Sequence, residues 1–430
     1  MLTLKFYTLL KISALRILCL LLVLGISSPA NGFDLSEEDR TLLKKIEKDS
    51  IQYFIKETNP TTGLTKDSSR AGAPASIAAT GFALASFAIA ANHGWISNQE
   101  ASEKIKKTLA TIKKKKCGKK GFYYHFLDPE TGQRTWNSEV SSIDTALFIA
   151  NALLAATYFE QSGLSKQIYS LYNQIDWPWM LNGKEFFCHG WKPQDGFLPY
   201  YWDMYAEHLI LQALALGSST NPVPASVWKA WRRESELYNG KKIIYSYTGS
   251  LFTYQYSHAF IDFRNLEDQN INYFSNSKLA TIANWEFSSA NQSQYKTYEG
   301  AWGLSASLGP DGYKPYGAMP GNAMHDGTIA VYAPISSIIF TPEESISVIK
   351  KIYKTQSPNL YGPYGFRDSY NLDSNWFANE YLGIDQGIIV LMLENFLNDG
   401  AIWKRFMKLP LTQRWIKLAN LKRQENNSAE

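Results

Sequence analysis

The chain has 430 residues, 45% of them hydrophobic, and a formal net charge of +4 at pH 7. That length allows one large domain or two ordinary ones with a sizeable core. So small a charge argues against a nucleic-acid footprint, because the lysines are local: "KKTLATIKKKKCGKK" reads as a solvated outer helix end.

Residues 1–30 read as a signal peptide. Lys5, Lys11 and Arg16 precede the apolar "ILCLLLVLGI", and "SSPA" offers small residues for cleavage near Ala30. A retained membrane anchor is the alternative, but the apolar run is short for a full span. The expectation is an exported protein, periplasmic or secreted, with one domain over 31–425 and no membrane association after cleavage. Cys117 and Cys188 remain in the mature chain. No pair of cysteines has metal-ligand spacing, so they read as two ordinary thiols, with a single bridge left open.

In chain order, two kinds of helical segment alternate. Residues 36–57 repeat Leu42, Leu43, Ile46, Tyr53 and Phe54 on one stripe, and 74–91 ("PASIAATGFALASFAIAA") are apolar all round. Residues 98–115 are striped again, through Ile105, Leu109 and Ile112. "GFYYHFLD" and "GQRTWN" read as a hairpin, before the all-round apolar "IDTALFIANALLAATYF". The striped "LSKQIYSLYNQI" precedes the apolar "AEHLILQALALG", and "KIIYSYTGSLFTY" reads as a second hairpin. "PEESISVIKKIY" is striped and "GIDQGIIVLMLENFL" apolar. A striped helix buries one side and an apolar one is buried all round. Counting the less clear segments between Pro222 and Ser337, the alternation runs for about six rounds. The fold class expected is all-α, an (α/α)6 toroid of inner helices wrapped by outer ones, with β-hairpins at the mouth.

In such a ring, polar residues at the ends of inner helices are the site candidates. In "WNSEVSSIDTALFIA", Ser141 reads as an N-cap with Asp144 three residues on, as in a capping box. Glu139 lies before the cap beside Trp136 and has no capping role. In "YYWDMYAEHLILQALALG", Asp203 reads as a cap, and Glu207 shares a helix face with Ile210 and Leu214. A carboxyl on an apolar helix is desolvated, which raises its pKa toward what a general acid needs. Tyr205 is among the rings crowding it. His258 and Asp262 stand four apart with Arg264 close by, a set suited to hydrogen-bonding hydroxyls. Asp326 precedes a helix interrupted by Pro334, and Glu380 and Asp385 stand at another helix start with Trp376 ahead.

The aromatic load is high, with 13 tryptophans and 26 tyrosines. Many flank the acids. "YEGAWGLSASLGPDGYKPYG", residues 298–317, holds Glu299, Trp302 and Tyr313 in what reads as a loop. Indole and phenol rings stack on the apolar faces of sugars, and acids, amides and arginine bind the hydroxyls. Paired carboxyls among such rings fit glycoside hydrolysis, in which one protonates the leaving oxygen and the other activates water or attacks. The chain contains no HExxH, P-loop or post-strand GxGxxG motif.

"SSIDTALFIANAL", "HAFIDFR", "WGLSASLGPDGY", "HDGTIAVYAPISSIIFTPEES" and "NEYLGIDQGIIVLMLENFLNDGAIWKRF" together resemble the glycoamylase-like family, from about Leu35 to Phe406. That family includes endo-β-1,2-glucanases of glycoside hydrolase family 144 and a domain of cyclic β-1,2-glucan synthases. The resemblance implies an (α/α)6 fold, no cofactor or metal, action on β-1,2-linked glucan, and inversion. It places the family's acids on Glu139 and Glu207, with Asp144 beside them. The sugar contacts expected are Trp136, Tyr205, His258, Asp262, Arg264, Glu299, Trp302, Tyr313, Asp326, Trp376 and Glu380. Leu308 stands where the family commonly has an acid. A monomer acting on a glucan is expected; a transglycosylase, a non-catalytic glycan-binding protein and a lyase are the readings left open.

Overall fold

A computed structural model describes residues 34–423, apart from 115–116 and 161–162; the export signal read at 1–30 lies outside them. Its helices are α1 (Glu37–Glu57), α2 (Ile77–Asn92), α3 (Asn98–Lys114), α4 (Ser142–Ala156), α5 (Gly163–Asn173), α6 (Leu209–Gly217), α7 (Ser226–Ala230), α8 (Phe252–Phe260), α9 (Tyr273–Ala290), α10 (Tyr332–Ser336), α11 (Pro342–Leu360), α12 (Gly383–Leu397), α13 (Ala401–Phe406) and α14 (Pro410–Leu418). From Glu37 onward the chain is one compact unit.

The alternation read in the sequence is present residue by residue. All of α6 and α10 is buried, as are residues 77–90 of α2 and 145–156 of α4. By contrast α3 buries one stripe, Ala101, Ile105, Leu109 and Ile112 among it. The even-numbered helices from α2 to α12 form the buried set, with α7 and α9 supplying outer helices in the stretch that was hard to read. Each buried helix packs on a neighbour: α2 on α4, α4 on α6, α6 on α8, α10 on α12, and α12 back on α2. Gln255 ties α8 to α10, its Nε2 donating to the Ala333 carbonyl at 2.8 Å and to Ser337 Oγ at 2.9 Å. Small residues permit this closeness. A Cβ on Gly81 would lie 2.4 Å from Phe148 Cα, and one on Gly387 would lie 2.2 Å from the Phe82 ring.

Short antiparallel strands join the helices. Five of them, Gly118–Lys119, Phe122–Tyr124, Val140–Ser141, Gly190–Lys192 and Gly196–Phe197, form one sheet in that order. Of the two hairpins expected from sequence, the first closes only at its tip, where Leu127 bridges Arg134 and Asp128 N–H donates to the Gln133 carbonyl at 2.7 Å; the second does not form as expected. Further back, Tyr123 leaves the 132–137 segment and pairs with Ser141. Lys241–Ile244 pairs with the upstream Ser235–Tyr238, and from Phe252 the supposed second strand is α8. Ser307–Gly309 and Gly312–Lys314 do form a hairpin. The loop around it is not the polar surface expected: Tyr298, Trp302 and Tyr316 are 2% exposed or less. Cys117 and Cys188 are buried and form no disulfide with each other; their thiols donate to the Gly132 and Gly190 carbonyls.

Candidate active site

The strand Val140–Ser141 delivers Glu139 to the N-terminus of α4. Ser141 is the N-cap, its Oγ accepting the Asp144 N–H at 3.2 Å and donating to Asp144 Oδ2 at 2.5 Å. The capping read for Asp144 is therefore present. Its other oxygen is engaged elsewhere: Oδ1 lies 3.7 Å from His125 Nε2. His125 Nδ1 lies 3.0 Å from Glu139 Oε1, so one imidazole bridges both acids. Gly190 makes room for the bridge, since a Cβ there would sit 2.6 Å from Glu139 Cγ.

The charges follow from this bridge. Burial works against the His125 cation, but Asp144, Glu139 and Asp67 outweigh it and raise its pKa to about 9. Burial also opposes ionisation of Glu139. The hydrogen bond and charge of His125, helped by Lys192, nonetheless hold that carboxyl below its ordinary value. At neutral pH the pair is an imidazolium and a carboxylate.

Glu207 is the opposite case. It is 8% exposed, and burial, with the Asp144 charge adding and a backbone hydrogen bond opposing, lifts its pKa to about 7. It lies in the turn before α6, not on the helix face with Ile210 and Leu214. Ser257 of α8 fixes that turn: its Oγ donates to the Glu207 carbonyl at 2.6 Å and accepts the Ile210 N–H at 3.0 Å. Asp203 is no cap and instead pairs with Arg232 at 3.2 Å. Asp144 acts on both Glu207 and His125, so Glu207 and Glu139 belong to one cluster.

Three further acids join it. Asp67 is raised by burial and by Asp144, against the pull of His125. Asp385, in the first turn of α12, is raised well above the carboxylate range by burial and by Asp368, with which it shares a hydrogen bond. Two carboxyls share a hydrogen bond only if one holds a proton. Asp368 Oδ2 accepts the Leu308 N–H at 2.7 Å and Ser369 Oγ at 2.9 Å. Tyr313, on the 307–314 hairpin, is 56% exposed, yet its hydroxyl senses Asp385, Asp368, Asp67 and Glu207. Its hydroxyl end is thus within their electrostatic reach, while much of the residue is exposed. Asp144, Glu207 and Asp385 all lie at or just before N-termini of buried helices.

Several expected sugar contacts are elsewhere. Tyr205 is 1% exposed, stacked on Tyr254 and Tyr273, so it is core. Trp302 is core as well. His258 is buried, bonded to Ser277 Oγ at 2.9 Å, and kept neutral by burial, which lowers its pKa to about 3. It does not share a helix face with Asp262, because α8 ends at Phe260. Asp262 instead forms a two-bonded fork with Arg264, 2.8 Å each, and Arg264 covers the Trp403 ring. Asp262 and Arg264 follow the C-terminus of α8. Asp326 accepts from Tyr316 at 2.7 Å and pairs with Lys314 at 3.6 Å. Glu299 is exposed at the end of the short helix Lys296–Tyr298, and its carbonyl accepts from Lys351. Trp136 is 59% exposed beside Phe126, Trp376 is half-buried on a strand, and Glu380 is half-buried within reach of the Asp368 charge.

His125, Asp67, Asp368 and the bonded role of Asp385 are absent from the sequence reading. His125 sat inside a segment read only as a strand. Asp67 and Asp368 lie in turns, where an acid is unremarkable without its neighbours. His125, Glu139 and Asp144 also bring three possible ligand atoms within 4.8 Å of one another, a set that no local spacing announces.

A family model, Glycoamylase, described as "Putative glucoamylase", matches residues 199–410. A solved structure from Bacteroides uniformis, also described as a putative glucoamylase, is 29% identical, covering 91% of this chain and 99% of its own, with a TM-score of 0.84. An endo-β-1,2-glucanase from Chitinophaga pinensis, solved with sophorotriose and glucose, is 26% identical over 90% of this chain and 99% of its own, also with a TM-score of 0.84. A curated relative from Parabacteroides distasonis, an exo β-1,2-glucooligosaccharide sophorohydrolase acting at the non-reducing end, is 25% identical over 88% of this chain. The match spans 57% of that relative's length.

Proposed function

We propose that this chain, similar to glycoamylase-like proteins and to β-1,2-glucan hydrolases, is itself a glycoside hydrolase cleaving β-1,2-linked glucan. Glu207 is the general acid and Glu139 the base. One observation carries the assignment. Within a single cluster, one carboxyl is pushed up to about 7 and another is held ionised by an imidazolium. Pairs of acids driven apart in this way divide into proton donor and proton acceptor.

Glu207, protonated, gives its proton to the departing glycosidic oxygen. Glu139 takes a proton from a water that attacks the anomeric carbon from the opposite face, which inverts the configuration. Glu207 is then ionised and Glu139 protonated, and exchange with solvent restores both. His125 keeps Glu139 ionised and aimed. Tyr313 and Trp136 offer exposed ring faces to the sugar, and Asp67 and the Asp368–Asp385 pair accept or donate to its hydroxyls. The scaffold is an (α/α)6 toroid, a reading supported by the six buried helices and by the packing of α12 back on α2. Export rests on the signal-like residues 1–30.

The test is to incubate the mature chain with linear β-1,2-glucan, laminarin, cellulose and starch and to resolve the products. New reducing ends from β-1,2-glucan alone support the hydrolase. Longer or cyclic products indicate transfer, an unsaturated chromophore a lyase, and binding without turnover a binding protein; each would displace this reading. Product length separates release of short units from internal cleavage.

A further inference from the structure

A second buried acid pair lies at the other end of the same helices. Glu47, on the inward side of α1, and Glu394, in the last turn of α12, are each 1% exposed. His93, the C-cap of α2, places Nε2 2.8 Å from Glu394 Oε2. One oxygen of each acid and a ring nitrogen of His93 lie within 4.8 Å of one another. Helix α2 has 16 residues, so this cluster is about 24 Å along the helix from the catalytic acids.

Glu394 is well supplied, accepting from Asn398 Nδ2 at 2.6 Å as well as contacting His93. Glu47 is not: its buried Oε1 meets no N–H or hydroxyl donor among the described residues, and the hydrogen bond it shares with Glu394 exists only while a proton sits between the two carboxyls. Its nearest counterpart is Glu394, another carboxyl, which pushes its pKa further up after burial itself. The other charged and titratable groups acting on the cluster are Lys44, at Glu47, and Tyr158, which senses both acids and is covered by Arg405 at 3.9 Å. A fully buried carboxyl oxygen without a donor costs stability unless a proton or a cation meets it.

We infer that Glu47, His93 and Glu394 form a binding site for a divalent transition-metal ion, Zn²⁺ or Mn²⁺. Two carboxylates and a neutral imidazole neutralise a 2+ ion, and one nitrogen with two oxygens suits first-row ions better than all-oxygen-seeking Ca²⁺ or Mg²⁺. Both α2 and α12 end here, and the negative ends of their dipoles favour a cation. His93 is 25% exposed and stacks on Trp95 at 4.7 Å, which leaves an entry path and a position for water as the fourth ligand. Binding opens the His93–Glu394 contact and turns both groups onto the ion. The ion then ties α1, the end of α2 and the end of α12 together where the first and last long helices meet.

The test strips the mature chain with EDTA, desalts it, and titrates ZnCl₂ or MnCl₂ by calorimetry while following thermal unfolding. One equivalent binds per chain and raises Tm. Glu47→Gln and His93→Gln weaken binding about 100-fold or more and abolish the Tm rise. His125→Gln, which alters the other His/acid cluster, leaves both intact. A Zn²⁺-soaked crystal shows one anomalous peak between Glu47 and Glu394. His93→Gln, at a part-exposed position, carries the test if Glu47→Gln does not fold. No binding by the stripped chain, binding unchanged in both variants, or binding lost only in His125→Gln overturns the inference, the first leaving a shared proton as the occupant.

Discussion

Glu207→Gln separates chemistry from stability. In the wild type, burial lifts this carboxyl from 4.5 to about 7. At about 1.36 kcal/mol per pKa unit, that amounts to about 3 kcal/mol of preference for the neutral form. The sign follows directly. A carboxyl whose folded pKa is raised contributes stability that is fully present below 4.5 and lost as pH climbs through about 7. Gln has no proton to lose, so the variant matches wild type at about pH 4.5 and is more stable by up to about 3 kcal/mol at about pH 8. Denaturant titrations at the two pH values read this difference. The chemistry moves the other way. Loss of the proton donor lowers kcat on β-1,2-glucan about 10²–10⁴-fold. A β-1,2-linked disaccharide with a dinitrophenyl leaving group needs no proton, so the variant keeps about a tenth or more of wild-type activity on it. The wild-type pH profile on glucan falls above about 7. Equal losses on the two substrates, or equal destabilisation at both pH values, would falsify the assignment of Glu207 as a desolvated acid.

The remaining expectations concern other links. In His125→Gln, Glu139 loses the charge that holds it low, so the acid limb of the kcat/KM profile moves to higher pH; an unmoved limb removes His125 from the argument. Tyr313→Ala strips an exposed ring whose hydroxyl feels the acids, so KM for glucan rises about tenfold (about 1.4 kcal/mol) while kcat changes little; steady-state kinetics decide. Arg264→Ala opens a fork with Asp262 beyond the C-terminus of α8 and costs about 1 kcal/mol or less. It leaves KM unchanged, and a raised KM would return the Asp262–Arg264 set to the sugar site. Gly81→Ala sets a methyl 2.4 Å from Phe148 Cα. It destabilises by about 1–3 kcal/mol or more in urea, because backbone, not a pliable side chain, must yield.

How far the sequence could be read depended on the range of the cause. Stripes and all-round apolar helices arise from burial repeated every turn, so α1 to α6 and α11 to α12 were visible in local pattern. The Ser141–Asp144 cap was also legible, because its partners are three residues apart. The turn joining "GFYYHFLD" to "GQRTWN" was legible because its partners are close in sequence, but the rest of the strand was not, because Tyr123 pairs with the distant Ser141. The same limit governs the site. Glu139 and Glu207 stood out as acids without a structural duty. His125 matters through a partner 14 residues away, Glu139, and Asp67 and Asp368 through Asp144, His125 and Asp385, none of them local. Tyr205, His258 and Trp302 show the converse error. A ring or an imidazole beside acids in sequence pointed to sugar, but the fold turned each into the core, where Ser277 meets His258 Nε2.

The site's unequal protonation is a consequence of the helix packing. Glycine and alanine let buried helices approach closely, as Gly81 and Gly387 do, and close packing gathers their N-termini. Those termini favour negative charge, so Asp144, Glu207 and Asp385 are individually well placed. Collectively they are too many. Asp67, Glu139, Asp144, Glu207, Asp368 and Asp385 converge with His125 as the cation placed among them, and so many carboxylates cannot all ionise in a desolvated space. The imidazole settles which do. Its ring bridges Glu139 and Asp144, so Glu139 is held ionised, while Glu207 and Asp385 are out of its hydrogen-bonding reach and retain protons. A proton donor and an acceptor thus coexist because one histidine cannot serve every acid that the packing brings together. Removing that histidine's charge, as His125→Gln does, therefore lets Glu139 take up a proton more readily, and the acid limb of the pH profile moves while the limb set by Glu207 stays.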